Sequence, residues 1–134
     1  MTPAGVLESV LYAEDLEAAA DFYTRVLGRA LHSRQNGRHV FFRCADGMVL
    51  VFDPRETVKP RTGTLAVPPH GARGEGHLCF RAGPGDIDGW RAHLANAGVV
   101  IEAEVAWPGG GRSIYFRDPA GNSLEFAEPK IWGL

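Results

Sequence analysis

Shifting the 134-residue chain by 74 positions lays Gly37-Arg38-His39-Val40-Phe41-Phe42-Arg43 on Gly111-Arg112-Ser113-Ile114-Tyr115-Phe116-Arg117. The match runs on without a gap, with Gly47 on Gly121, Leu50 on Leu124 and Phe52 on Phe126, so that seven of the sixteen positions from 37 to 52 are identical. A duplicated segment constrains the fold more than local propensity does, because whatever one copy forms the other must be able to form too.

In both copies β-branched and aromatic residues alternate on either side of a turn, Ala45-Asp46-Gly47-Met48 or Pro119-Ala120-Gly121-Asn122, and so read as a hairpin. Upstream, Leu7-Glu8-Ser9-Val10-Leu11-Tyr12 and His77-Leu78-Cys79-Phe80-Arg81 are strand-like runs leading into helix patterns. In the first helix Asp15 suits the N-cap, Leu16, Ala19, Ala20, Tyr23 and Leu27 form an apolar stripe, and Gly28 suits the stop. In the second, Asp86 is the expected cap, Ile87, Trp90, Leu94 and Ala97 the stripe, and Gly98 the stop. A further strand is expected near Ala30 to Arg34 and again near Val99 to Ala103. The expectation is an α+β chain of two tandem βαβββ modules, 5–53 and 75–130, joined by a linker over 54–74 and together forming one curved mixed sheet around a pocket. The linker is rich in Pro and Gly and longer than an ordinary loop, which suits either a lid or a flexible tether.

Hydrophobic residues at 45% and charged ones at 22% suit a single globular domain of this length. A net charge of -2 with scattered basic residues gives no field to hold nucleic acid or an anionic membrane surface. The expected partners are a small molecule and a second copy of the chain. No apolar run is long enough to span a bilayer and the start lacks a leader pattern, so a cytoplasmic protein is expected. Cys44 and Cys79 have neither metal-type nor redox-type spacing and read as buried free thiols rather than a disulfide.

The run Tyr115-Phe116-Arg117-Asp118-Pro119-Ala120-Gly121-Asn122-Ser123-Leu124-Glu125-Phe126, with Asp15-Leu16, Phe22-Tyr23 and Leu27-Gly28, resembles the vicinal oxygen chelate superfamily. That group includes glyoxalase I, fosfomycin resistance proteins, extradiol dioxygenases, methylmalonyl-CoA epimerase and bleomycin resistance proteins. The resemblance covers nearly the whole chain and implies a divalent metal held from the first and last strands of each module. Carried over residue by residue, it places Glu8 where His is usual, His77 at the repeat equivalent and Glu125 on the last strand, with Val51 in the remaining place. It also implies a homodimer, whose sites in some relatives are shared between subunits.

Strand alternation puts Glu8, Val10 and Tyr12 on one face, groups His77 with Cys79, and sets Glu125 between two core-facing residues, Leu124 and Phe126. Each of the three candidate ligands has an ordinary reading as a solvated carboxylate or a hydrogen-bonded histidine; their coincidence at matched repeat positions is what favours metal. Two carboxylates and one imidazole form a hard donor set suited to Mn, Fe(II), Ni or Mg, with Zn also compatible. The resulting expectation is a metal-dependent isomerase, lyase, epimerase or ring-opening oxygenase acting on vicinal oxygens, with Glu8, Glu125 and Tyr115 as catalytic candidates. The alternative is a metal-free protein that sequesters a small molecule, as the bleomycin resistance relatives do. Tyr115 shares a face with Ser113 and Arg117, with Phe41 and His39 as repeat equivalents. Arg38, Arg43, Arg112 and Arg117 read more readily as solvated than as anion-binding, and His70 as an exposed loop histidine. Trp107 reads equally as an aromatic wall or as a loop anchor.

Overall fold

The computed structural model describes residues 1–134, which divide into two compact units, Met1–Gly74 and Glu75–Leu134. In the first unit, β1 (Glu8–Tyr12) leads to α1 (Leu16–Asp21), then to β2 (Ala30–Gln35), β3 (His39–Cys44), β4 (Gly47–Phe52) and the single turn α2 (Pro54–Thr57). Asp15 caps α1, accepting a hydrogen bond from the Ala18 amide at 3.0 Å. The helix then widens into a π-helical turn over Phe22–Val26, with the Leu27 amide donating to the Phe22 carbonyl at 3.2 Å. The extra residue in that turn broadens the apolar stripe, so Phe22, Tyr23, Val26 and Leu27 are all buried. Gly28 follows at φ +62°, a left-handed stop that a Cβ would strain.

In the second unit, β5 (His77–Arg81) leads to α3 (Ile87–Asn96), β6 (Ile101–Ala106), β7 (Arg112–Arg117) and β8 (Ser123–Ala127), followed by a 3-10 turn at Pro129–Trp132. Asp86 does not cap α3 as expected; its own backbone is already helical and its side chain makes no capping bond. The strand expected near Val99 to Ala103 begins later, as β6 at Ile101. Both β2 and β6 carry an irregularity at the same place, between Leu31 and Ser33 and between Ile101 and Ala103. The duplication therefore extends to a β-bulge.

The expected single curved sheet is not formed. The strands make two separate four-stranded sheets, ordered β1-β4-β3-β2 and β5-β8-β7-β6, and no ladder closes either sheet or joins one to the other. In each, the last strand returns to pair in parallel with the first, so the strands are matched within their own unit and hydrogen bonding stops at β1 and β2 or at β5 and β6. Alternation along a strand says which side chains share a face; it carries no information about a ladder between copies.

Each sheet buries one face against its helix. In the first, Leu11, Val40, Phe42, Val49 and Val51 form that face, and Tyr23 of the π turn stacks on Phe42 at 5.1 Å. In the second, Ile114, Phe116, Leu124 and Phe126 form it, and Trp90 of α3 stacks on Phe126 at 4.0 Å. Side chains of this size stabilise by about 1.5–3 kcal/mol each when fully buried.

The repeat is off by one residue in its last strand. Arg43 faces Met48 across the first hairpin, whose turn is Ala45-Asp46 with Ala45 at φ +52°. Arg117 faces Ser123 across the second, one residue further on. The place equivalent to Glu125 is therefore held by Leu50 rather than by Val51, which lies fully buried on the helix side opposite Leu11 and Val40. Because side chains alternate with a period of two, a slip of one residue moves the whole strand's pattern to the other face. Leu50 and Leu124, identical under the sequence shift, point to opposite faces, as do Phe52 and Phe126.

Candidate functional site

The longer second turn is what aims Glu125. Asp118 accepts hydrogen bonds from the Ala120 and Asn122 amides and from the Asn122 side chain, each at 2.9 Å, and Asn122 Oδ1 accepts from the Gly76 amide at 2.8 Å. This ties the turn to the start of β5 and sets the register in which His77 faces Ser123 and Cys79 faces Glu125. On the other side of β8, Glu125 faces Tyr115. His77, Cys79, Tyr115 and Glu125 consequently share the face away from α3.

Glu125 is 5% exposed, and its Oε1 has no hydrogen-bond partner in the protein. A buried carboxylate oxygen without a donor is costly, so its environment suits an incoming hydrogen-bond donor or a cation. Its Oε2 lies 3.4 Å from His77 Nε2. The other ring nitrogen, His77 Nδ1, is 3.0 Å from the Ser123 carbonyl, which can only accept, so Nδ1 carries the hydrogen. In a neutral imidazole this turns a lone pair on Nε2 toward the carboxylate. Two lone-pair atoms at that distance are compatible when a proton or a metal ion lies between them, and a His held through Nδ1 on a carbonyl is the usual arrangement behind an Nε2 metal ligand.

Burial, and then the adjacent Glu125 carboxylate, hold the Tyr115 phenol above its ordinary pKa, while a hydrogen bond from Ser113 works the other way. Tyr115 is therefore a neutral donor beside Glu125. Both cysteines are free, but neither is buried as expected: Cys44 is half-buried, and Cys79, on the edge strand β5, is exposed as a residue. Burial of the Cys79 sulfur and then the Glu125 charge nonetheless push its thiol up to about 12. Its place beside Glu125 follows from pairing in β5, which the spacing of the two cysteines did not signal. Ser113 is fully buried and accepts from the Trp107 indole at 2.5 Å.

Glu8 begins β1 in the first unit, exposed, on the face shared with Val10, Tyr12, Met48, Leu50 and Phe52. Of the three expected ligands, the second unit alone brings together His77 and Glu125. Nowhere do three or more His, Cys, Asp or Glu side chains gather closely enough to hold a metal ion. The same face of the first unit is aromatic: His39 stacks on Phe41 at 3.9 Å, and Phe52 meets the edges of Phe41 and His70 at 5.0 and 4.9 Å. His70 is not a free loop histidine, since Tyr12 Oη lies 2.7 Å from its Nδ1. Burial, followed by the charges of Arg38 and Arg61, lowers the His39 pKa.

Arg112 is committed to Asp88 at 3.1 Å, and Arg117 to Glu102 at 2.8 Å and Glu75 at 2.9 Å, which leaves these guanidinium groups engaged by carboxylates. A hollow of about 440 Å³ in the first unit is lined by Glu14, Asp15, Glu17, Asp53 and Arg55 and contains none of the candidate ligands. No helix is long and apolar enough to cross a membrane.

Residues 5–126 match the family described as the Glyoxalase/Bleomycin resistance protein/Dioxygenase superfamily. A crystal structure of lactoylglutathione lyase from Agrobacterium tumefaciens is 40% identical, covers 100% of both chains and superimposes with a TM-score of 0.95. A glyoxalase/bleomycin resistance protein/dioxygenase from Nocardioides is 25% identical over 96% of this chain and 85% of its own, with a TM-score of 0.74. An integron cassette protein from the mobile metagenome of the Halifax Harbour sewage outfall is also 25% identical, over 94% of this chain and 99% of its own, with a TM-score of 0.75. No curated protein matches the chain.

Proposed function

The chain belongs to the glyoxalase/bleomycin resistance/dioxygenase superfamily, and from that premise we propose that it is a divalent-metal-dependent enzyme performing lyase or isomerase chemistry on a small oxygenated molecule. The observation that carries this reading is the facing pair of His77 Nε2 and Glu125 Oε2 at 3.4 Å, beside a buried Oε1 that no donor satisfies. These two residues would hold the ion, and Glu8 is the third donor that the superfamily resemblance implies. When bound, the ion supplies Lewis acidity toward a pair of substrate oxygens and stabilises negative charge developing there.

The residues themselves divide the remaining work. The Ser123 carbonyl keeps the His77 ring in the tautomer whose Nε2 is free to coordinate. Tyr115, neutral because burial and Glu125 raise its pKa, stands directly across the strands from Glu125 as a phenol able to donate to a substrate oxygen. Glu125 also has the position and lone pair to accept a proton from carbon beside a substrate carbonyl, which is the step that lyase and isomerase reactions share. Lactoylglutathione formation or cleavage is the first reaction to assay, given the 40% identity to the Agrobacterium tumefaciens lyase.

The decisive experiment is metal analysis of protein purified without chelator, followed by metal titration of the Glu8→Ala, His77→Ala and Glu125→Ala variants. Stoichiometric metal is expected, with affinity lost in the last two and reduced in the first. A protein that binds no divalent ion in any variant would sink the reading. The aromatic face of the first unit, built by Tyr12, His39, Phe41, Phe52 and His70, favours a second reading as a small-molecule sequestering protein. Under that reading a bound aromatic ligand is recovered chemically unchanged and without metal.

A further inference from the structure

We infer that the imidazole of His70 is a built-in plug: it fills a ring-binding seat on the open face of the first sheet, and a planar aromatic carboxylate displaces it, laying its ring on Phe52 and its charge toward Arg38. The seat lies wholly within the first unit, so it stands apart from the His77 and Glu125 pair and goes beyond the metal reading.

The segment that carries the plug has little else to hold it. From Val58 to Glu75 every residue is exposed except His70. Its backbone amide donates to the Thr57 carbonyl at 3.0 Å, which closes residues 58–69 into a loop returning to α2. Pro68 and Pro69, just before it, have no N–H to add. The ring then reaches the sheet, with Nδ1 2.7 Å from Tyr12 Oη and its plane at 79° to Phe52, 4.9 Å between centroids. That is the edge-to-face geometry in which one aromatic ring receives another. An imidazole wedged there gives up hydration in exchange for the bond to Tyr12, so a more apolar ring is the better occupant.

The groups around the seat are incomplete without a ligand. Phe52 is the hub: Phe41 and His39 meet it near-perpendicular at 5.0 and 5.8 Å, and Arg38 Cζ lies 5.9 Å from its centroid. Arg38 is half-buried, and whereas Arg112 and Arg117 are engaged by carboxylates, none engages Arg38. A guanidinium partly withdrawn from water selects an anion, and its planar fork matches a carboxylate. His39 Nδ1 is buried with no hydrogen-bond partner, which leaves a second polar group in the cluster for an incoming one. Glu8 shares this face but stands opposite Met48, whereas Tyr12 stands opposite Phe52. Four residues of strand, about 13 Å, therefore separate its charge from an anion at the Phe52 end.

Benzoate, benzyl alcohol and cyclohexanecarboxylate are titrated calorimetrically into the metal-free protein and into its His70→Ala and Arg38→Gln variants. Benzoate is expected to bind the wild type, and to bind His70→Ala about fivefold more tightly, the factor that loss of one competing hydrogen bond represents. Arg38→Gln should weaken benzoate by about tenfold and leave benzyl alcohol unchanged. Cyclohexanecarboxylate, with the same charge and no flat ring, should bind more weakly than benzoate. Because the ligand lifts the plug, saturating benzoate should also speed tryptic cleavage of the wild type after Arg61 or Arg73, and should have no such effect in His70→Ala. Equal or weaker benzoate binding by His70→Ala overturns the inference, since His70 is then a wall of the seat. Slower cleavage with benzoate overturns it as well, since the segment is then a lid closed over the ligand. Equal binding of benzoate and cyclohexanecarboxylate, or of benzoate to wild type and Arg38→Gln, rejects the aromatic carboxylate. Failure of benzoate to bind any form also rejects it, and leaves metal binding at His77 and Glu125 to be decided by metal analysis.

Discussion

Asp118→Ala should be among the most damaging substitutions outside the apolar core, although Asp118 touches no candidate ligand. Its carboxylate accepts three hydrogen bonds at 2.9 Å, from the Ala120 amide, the Asn122 amide and the Asn122 side chain. The first donor lies in a part-buried turn that water can reach and is counted at zero. The other two belong to a residue only 2% exposed. Leaving a buried donor unsatisfied costs about 1–3 kcal/mol, so the expected loss is about 2–6 kcal/mol, a large share of the stability of a small protein. Asp118→Asn should lose less, about 1–2 kcal/mol, because one amide oxygen still accepts from the backbone while its N–H₂ opposes the Asn122 donor. Equilibrium urea unfolding followed by tryptophan fluorescence measures both. With a slope of about 2 kcal/mol/M, Asp118→Ala should lower the midpoint by about 1–3 M without altering the slope. A change below about 0.5 kcal/mol for Asp118→Ala, or equal losses for the Ala and Asn variants, would refute the argument that this carboxylate organises the turn.

Three further outcomes follow from other parts of the molecule. Asp53 caps α2 and is held below the ordinary carboxylate pKa by its hydrogen bond to Arg55, so the stability it contributes is complete above an unfolded value of about 3.9 and is lost as pH falls through the lower folded value; Asp53→Asn should flatten the acid limb of a stability-versus-pH curve, and an unchanged limb would contradict this. Cys79, with its thiol pushed up to about 12, should react with a disulfide reagent at pH 8 far more slowly than an ordinary free thiol, measured in a Cys44→Ser background without metal; rapid labelling of the folded protein would count against it. His70→Ala removes the bond to Tyr12 while the backbone bond from His70 to Thr57 at 3.0 Å remains, so tryptic cleavage after Arg61 or Arg73 should accelerate by about fivefold for a bond worth about 1 kcal/mol; an unchanged rate would mean that Tyr12 does not anchor the segment.

Much of this protein is set by local chemistry that a sequence carries openly. The cap at Asp15, the stop at Gly28, the hairpins and the face shared by Ser113, Tyr115 and Arg117 all depend on residues a few positions apart, where propensity and alternation act directly. The duplication is of the same kind, and its match extends even to the paired bulges in β2 and β6. What escaped is whatever depends on partners distant in the chain. One extra residue in the turn after β7 places Phe126 against Trp90 while its identical counterpart Phe52 meets His70 on the other face of its sheet, because a period of two converts a single insertion into a reversal. The ladder ends where strands run out of partners, which made two open sheets of the expected single one. Cys79 and Trp107 gained their places beside Glu125 and Ser113 through cross-strand pairing and a glycine turn, since hydrogen bonds between strands are decided by register and not by the residues on either strand alone.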